Sequence, residues 1–266
     1  LLGGDLSGLC DEDKTAILKS LLNAVEKKRV TDSVYMHSEI YAKLKHAGLA
    51  DELRPFVTDT KLGPPTRRLA LLVAEKCKLS ELQPELLQVL LDGTNHPQVR
   101  SGAIAALKTC GDADVPAQIL PFAEDIAKAQ DPNDEIKGAA LQLLWPDHIT
   151  ADRLFPLLTP TADLFFGAYA HFQMALPESL KDKDLLPSLR WATNAVAGNG
   201  RSGNAHARRL ADAIMFKVWP IFEHADLTYP FVDNIAARLR NHGPLFLGLD
   251  HKEQAAFRQK LLTDDA

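Results

Sequence analysis

Along the chain, apolar residues recur at three- and four-residue spacing in nearly every segment between turn signals, and no run shows the strict alternation of a half-buried strand. Residues 11–29 place Ala16, Leu21, Leu22 and Val25 on one side, which predicts a helix with Asp11 as its N-cap. Ser80 and Gln83 stand at capping-box spacing before a helix expected to run to about Leu91. In the second half the same spacing predicts helices near 151–158, 162–175, 183–196, 204–223, 228–242 and 251–262, with AGNGRSGN, residues 197–204, as the longest loop signal. Pro55, Pro84, Pro97, Pro116, Pro132, Pro146 and Pro187 fall near predicted helix starts and stops, where a missing N–H is harmless. The expected product is an all-helical chain of short helices joined by short loops.

The helices repeat. An offset of 33 carries Arg67 onto Arg100, Ala70 onto Ala103, Leu71 onto Ile104 and Cys77 onto Cys110. A further offset of 37 carries Arg100 onto Lys137, Ala103 onto Ala140, Ile104 onto Leu141 and Leu107 onto Leu144. Each of these helices follows a loop with an acidic residue and a proline, DTKLGPPTRR, DGTNHPQVR or DPNDEIK, and each loop follows another helix. The unit is therefore helix A, an Asp-Pro-type turn, and a helix B that opens with a base. Gly102, Ala103, Ala105 and Ala106 are small enough for close helix approach, while Ile104 and Leu107 supply buried area.

This layout, clearest in HPQVRSGAIAALKTCG at residues 96–111, resembles HEAT and armadillo repeats, and the resemblance implies a right-handed α-solenoid. It also implies that the recurring bases Arg67, Arg100 and Lys137 bond to the acidic turn residues Asp59, Asp92 and Asp131, which would stiffen each turn. The second half departs from the repeat. Of 18 aromatic residues only Tyr35, Tyr41, Phe56 and Phe122 precede Trp145, so its core must use thicker side chains. We divide the chain into HEAT-like repeats with an irregular N-terminal part over 1–158 and an aromatic-rich helical continuation over 159–266. The Trp145-Pro146 stop, the turn at Leu158 to Pro160 and the FFGAY segment at Phe165 to Tyr169 resemble the helical-repeat region of large bacterial STAND, or NACHT-like, P-loop NTPase proteins. That resemblance implies a sensor or scaffold segment acting on an NTPase module.

Composition narrows the partners. The 30 Lys and Arg residues against 35 Asp and Glu give a net charge of −5, which argues against binding a phosphate backbone. No stretch approaches the ~18 apolar residues of a membrane helix. Cys10, Cys77 and Cys110 form neither a CxxC pair nor a disulfide framework, so a reduced, cytoplasmic setting is expected. The chain opens on Leu1 and reads as a piece of a longer protein whose other parts hold the chemistry.

Candidate chemistry is sparse. GNGRSGN lacks the lysine and hydroxyl residue of a P-loop, GxSxG is absent, and no two of the nine histidines stand at i, i+4 on one helix. Cys77 and Cys110 occupy equivalent repeat positions and read as packing residues. We therefore expect no catalytic residue, cofactor or metal in this chain. Arg201, His206, Arg208, Arg209 and Lys217 form the one local hint of an anion site, against a solvated helix face as the plainer alternative. The expected function is a non-catalytic scaffold that contacts a protein or a neighbouring domain. A second possibility is a HEAT-like DNA-repair glycosylase, for which Trp145, Asp147 and Trp191 invite comparison with a catalytic carboxylate near tryptophan. A third is a scaffold holding a small ligand in a deep pocket.

Overall fold

In a computed structural model of the chain, the described residues are 8–30, 38–159, 167–197, 205–240 and 259. All regular secondary structure among them is helical. The helices are α1 (Asp11–Glu26), α2 (Leu49–Thr58), α3 (Pro64–Cys77), α4 (Gln83–Leu91), α5 (Pro97–Cys110), α6 (Val115–Glu124), α7 (Glu135–Leu144), α8 (Ala151–Leu157), α9 (Ala168–Ser179), α10 (Leu185–Ala197), α11 (Ala205–Val218) and α12 (Ala225–Arg240). Short 3-10 turns occupy Ser38–Leu44, Ser80–Leu82, Asp182–Asp184 and Trp219–Ile221. No described helix is long and apolar enough to cross a membrane. The chain divides into two compact units, Leu1–Leu144 and Trp145–Ala266, and α8 belongs to the second.

In the first unit α5 lies between α3 and α7, and each of these helices packs on the helix before it: α3 on α2, α5 on α4, α7 on α6. α2 also touches α4. The small residues make the α3–α5 approach possible. A Cβ added to Gly102 would meet Leu71 Cδ1 at 3.2 Å, and Ala70, Ala74, Ala103 and Ala106 are fully buried beside it. Leucines 53, 69, 71, 82, 86 and 90 fill the space between the rows. α1 is bound in by its last residue. Glu26 accepts from the Gly63 N–H at 3.1 Å and the Thr66 hydroxyl at 2.6 Å, so a carboxylate sits at the N-terminus of α3, where the helix dipole favours it.

Several local expectations change. α1 is preceded by Cys10, not Asp11, at its N-cap position, and it ends at Glu26. Ser80 and Gln83 do not form a capping box. Ser80 opens a 3-10 turn, and Gln83 instead donates to Asp112 at 2.8 Å and accepts from its N–H at 3.0 Å, fastening the start of α4 to the loop after α5. Pro55 lies inside α2, as Pro121 does inside α6 and Pro156 inside α8, near the last turn of each. Of the helix predicted at 162–175, residues 167–175 are described and the helix there, α9, begins at Ala168, while the helix predicted at 251–262 lies outside the described residues apart from Gln259.

In the second unit α10 is the hub. It packs on α8, α11 and α12, and α11 also packs on α9. The thicker core foreseen from the aromatics is built from Phe155 against Trp191, with centroids 5.7 Å apart, and from the cluster of Trp219, Phe222 and Phe231, 5.1–5.8 Å apart. A buried polar network crosses it: Arg238 on α12 pairs with Asp212 on α11 and donates to Asn234 at 2.6 Å, and Asn234 donates to Thr193 on α10 at 3.3 Å.

Candidate functional site

The turns before α3 and α5 bring two of the sequence-selected bases, Arg67 and Arg100, to similar places. Arg67 is 4% exposed and donates through Nε to the Val57 carbonyl at 3.2 Å; Arg100 is 2% exposed and donates through Nε to the Leu90 carbonyl at 2.8 Å. Donor and acceptor are ten residues apart in both, and both acceptors lie in the last turn of the preceding helix. A helix leaves its final carbonyls without internal partners, so each guanidinium closes an open helix end. Arg67 also donates to Asn95 at 2.6 Å, reaching from its own turn to the next. Arg100 instead lies over the Phe122 ring, 5.7 Å from its centroid, on the helix that follows.

The turn acids act on these bases mainly through charge. Asp59 and Asp92 spend a side-chain oxygen on their own turns, accepting from the Lys61 and Thr94 N–H groups, each at 2.9 Å. Burial lowers the pKa of Arg67, opposed by the charges of Asp92 and Asp59, and lowers that of Arg100, opposed by Asp131 and Asp92. Asp92 has a lowered pKa through the Thr94 hydroxyl and N–H, with the charges of Arg67 and Arg100 adding to it. Asp131 caps α7, accepting from the N–H groups of Glu135 at 2.8 Å and Lys137 at 2.9 Å. Lys137 is buried, and that burial lowers its pKa while Asp134 and Asp131 oppose the shift. The cysteines follow the same offset: the Cys77 thiol donates to the Tyr41 carbonyl at 3.1 Å and the Cys110 thiol to the Ala74 carbonyl at 3.5 Å. Burial pushes the Cys77 thiol up to about 11, which makes it a packing group and a poor nucleophile.

The possible anion-binding residues do not gather in one described place. His206 is buried, Arg208 is half-buried and Arg209 is exposed on α11, while Arg201 lies outside the described residues. Lys217 turns away to donate to the Pro177 carbonyl at 2.9 Å. Among the described residues, no group of three or more His, Cys, Asp or Glu side chains is placed to hold a metal ion.

One cleft of about 510 Å³ opens in the second unit beside the turn between α7 and α8. Trp145, Asp147, His148 and Asp152 line one side, and Lys181 and Lys183 come from the turn before α10. Trp145 is 7% exposed and gives its indole N–H to Ser179 at 2.7 Å, so its ring is held as a wall. Asp184, also at the cleft, is buried and accepts from the Lys181 N–H at 3.0 Å. Trp191 is spent on Phe155 and on the Leu158 carbonyl, 3.4 Å from its indole N–H. Sequence reasoning selected Trp145 and Asp147 but not the two lysines, which come from a distant turn. No protein family, curated protein or solved structure matches the chain.

Proposed function

We propose that the chain is a non-catalytic helical-repeat scaffold, an α-solenoid of HEAT or armadillo type that contacts a protein or a neighbouring domain of the same polypeptide. The observation that carries this reading is the recurrence of one bonding scheme at an offset of 33: Arg67 to Val57 and Arg100 to Leu90, Cys77 to Tyr41 and Cys110 to Ala74. The buried arginines close helix ends within each pair, the cysteines and the Arg67–Asn95 bond tie one pair to its neighbour, and Asp59 and Asp92 bond within their own turns. Stacked pairs present long, fixed surfaces, which suits binding a partner more than enclosing a substrate. The resemblance carried by Trp145-Pro146, Leu158 to Pro160 and Phe165 to Tyr169 adds that the scaffold belongs to a bacterial STAND-type NTPase, whose P-loop lies elsewhere in the polypeptide. The open reading frame around this segment tests that addition. A GxxxxGK[ST] module in the same frame supports it, and a frame with none removes it.

The glycosylase-type alternative draws on the cleft, where Trp145 and Asp147 lie together. Against it stand the net charge of −5 and the burial of Trp145 in a hydrogen bond to Ser179. Titration of labelled duplex DNA by fluorescence polarisation at moderate salt separates the two. The scaffold reading expects no saturable binding. Tight binding that weakens steeply with salt would overturn it in favour of the DNA-repair class.

A further inference from the structure

Five of the six large apolar side chains exposed among the described residues, Met174, Phe216, Tyr229, Val232 and Leu239, belong to the second unit, and three of them lie on α12. α12 uses one face to pack on its own unit: Leu227, Phe231, Asn234 and Arg238 are buried there. The opposite face carries Tyr229 at 81% exposure, Val232 at 52%, the half-buried Ala236, and Leu239 at 50%. Spacings of three, four and three residues put these four in one stripe along the helix. Exposed Asp226, Asp233 and Arg240 border the stripe on one edge only. An exposed apolar stripe of this kind marks an interaction surface.

We propose that a second copy of this chain covers it, with the two α12 helices meeting antiparallel across a twofold axis level with Asn234. The stripe is self-complementary about that point. Tyr229 and Leu239 stand five residues to either side of Asn234, and Val232 and Ala236 stand two to either side. Antiparallel pairing therefore sets the large Tyr229 against Leu239 of the second copy, and Val232 against its small Ala236. A twofold axis perpendicular to both helices keeps each edge facing its own kind, so the apolar edges meet and the charged edges meet. On the charged edge Arg240 comes level with Thr228 of the second copy, within about 3 Å along the axis of Asp226 at the helical rise of 1.5 Å per residue. An opposite-charge pair thus forms at each end of the interface. Asp233 lies one residue from the axis and faces its own copy, a like-charge contact in the middle of the same edge.

The arrangement predicts opposite effects from changes on one helix face. Sedimentation velocity on the full chain over a concentration series should show the 29.2 kDa mass doubling as concentration rises. Leu239→Asp should weaken the dimer at least about tenfold, as expected of a buried anchor. Asp233→Asn should tighten it by removing the repulsion at the axis. Asp226→Arg should weaken it, and adding Arg240→Asp to that variant should restore it. Helical circular dichroism and the melting temperature of the monomeric species should stay near wild type in all four, because every altered side chain is exposed. A chain that stays monomeric up to about 1 mM, the weak end of specific association, overturns the proposal. So does a dimer indifferent to Leu239→Asp, or a charge swap that fails to restore association. The inference rests on α12 alone and stands or falls independently of the scaffold reading.

Discussion

Arg100 shows what a single side chain does in this molecule. Its Nε–H supplies the Leu90 carbonyl at the end of α4 with a partner that the helix itself lacks. Arg100→Ala removes that donor and leaves the carbonyl buried, so urea denaturation should show a loss of about 1–3 kcal/mol. Arg209→Ala, on an exposed part of α11, should change stability by less than about 0.5 kcal/mol. Equal losses would contradict the assigned role. Lys137 adds a pH dependence. Burial holds its pKa below the ordinary value of about 10.4, so above the folded pKa the unfolded chain binds the proton more readily than the folded one. The penalty for burying the charge is full below the folded pKa and fades as pH rises towards the ordinary lysine value. Lys137→Met removes it. The stability of the variant relative to wild type should therefore be most favourable below the folded pKa of Lys137 and should decline as pH rises from there through the ordinary lysine value of about 10.4. A difference that is flat or grows with pH would contradict this.

The recurrence of these bases was legible in the sequence because arginine, alanine and cysteine repeat together at one offset. Their partners were less so. An aspartate in a turn finds backbone N–H groups two residues away, as Asp59 and Asp92 do, and this local bond competes with any distant cation. The acceptor carbonyls of Val57 and Leu90 carry no side-chain signature at all. The Asp212–Arg238 pair joins two helices across 26 residues, a separation with no spacing rule to reveal it.

At the scale of elements, the boundaries depend on close approach and on which partner a capping residue finds. Gln83 had the spacing to cap its own helix, yet its side chain is taken by Asp112, so tertiary contact displaced the local motif. Gly111 closes α5 with an ordinary φ of −81°. Its need for glycine is one of space. A Cβ there would meet the Leu107 carbonyl oxygen at 2.6 Å and Val115 Cγ2 at 2.8 Å. Gly111→Ala should therefore destabilise the protein by about 1–3 kcal/mol by thermal or urea denaturation, although alanine is otherwise the better residue near a helix. A neutral or stabilising result would mean that the α5–α6 corner is looser than described. The four extra residues between Arg100 and Lys137, compared with the first offset, fall after α6. The helix-end bonds from Asp59 to Pro55, Asp92 to Gln88 and Asp125 to Pro121 keep the 33-residue step throughout. The insertion therefore lengthens one turn and leaves the helix A series in register.

At the scale of the molecule, the all-helical class followed from periodicity alone. The place of the division was harder to read. α8 looks like a helix A, with Pro156 near its end as Pro55 and Pro121 are in theirs, yet it packs on α10. The cleft beside Trp145 was half legible, since one side is a contiguous turn and the other is supplied by Lys181 and Lys183. If α2–α3, α4–α5 and α6–α7 are interchangeable helix pairs, as proposed, the first unit tolerates deletion of one whole step. Removing residues 78–110 joins Cys77 to Gly111 and so recreates the native Cys110–Gly111 junction, with α3 presented to α7 in place of α5. Removing 94–110 alone takes away α5 and leaves α4 with only its contact to α2 among the long helices of this unit. Circular dichroism with thermal melting should show the 33-residue deletion still helical and cooperative at a lower melting temperature, and the 17-residue deletion without a cooperative transition in this unit. A whole-step deletion that unfolds as completely as the half-step deletion would contradict the account.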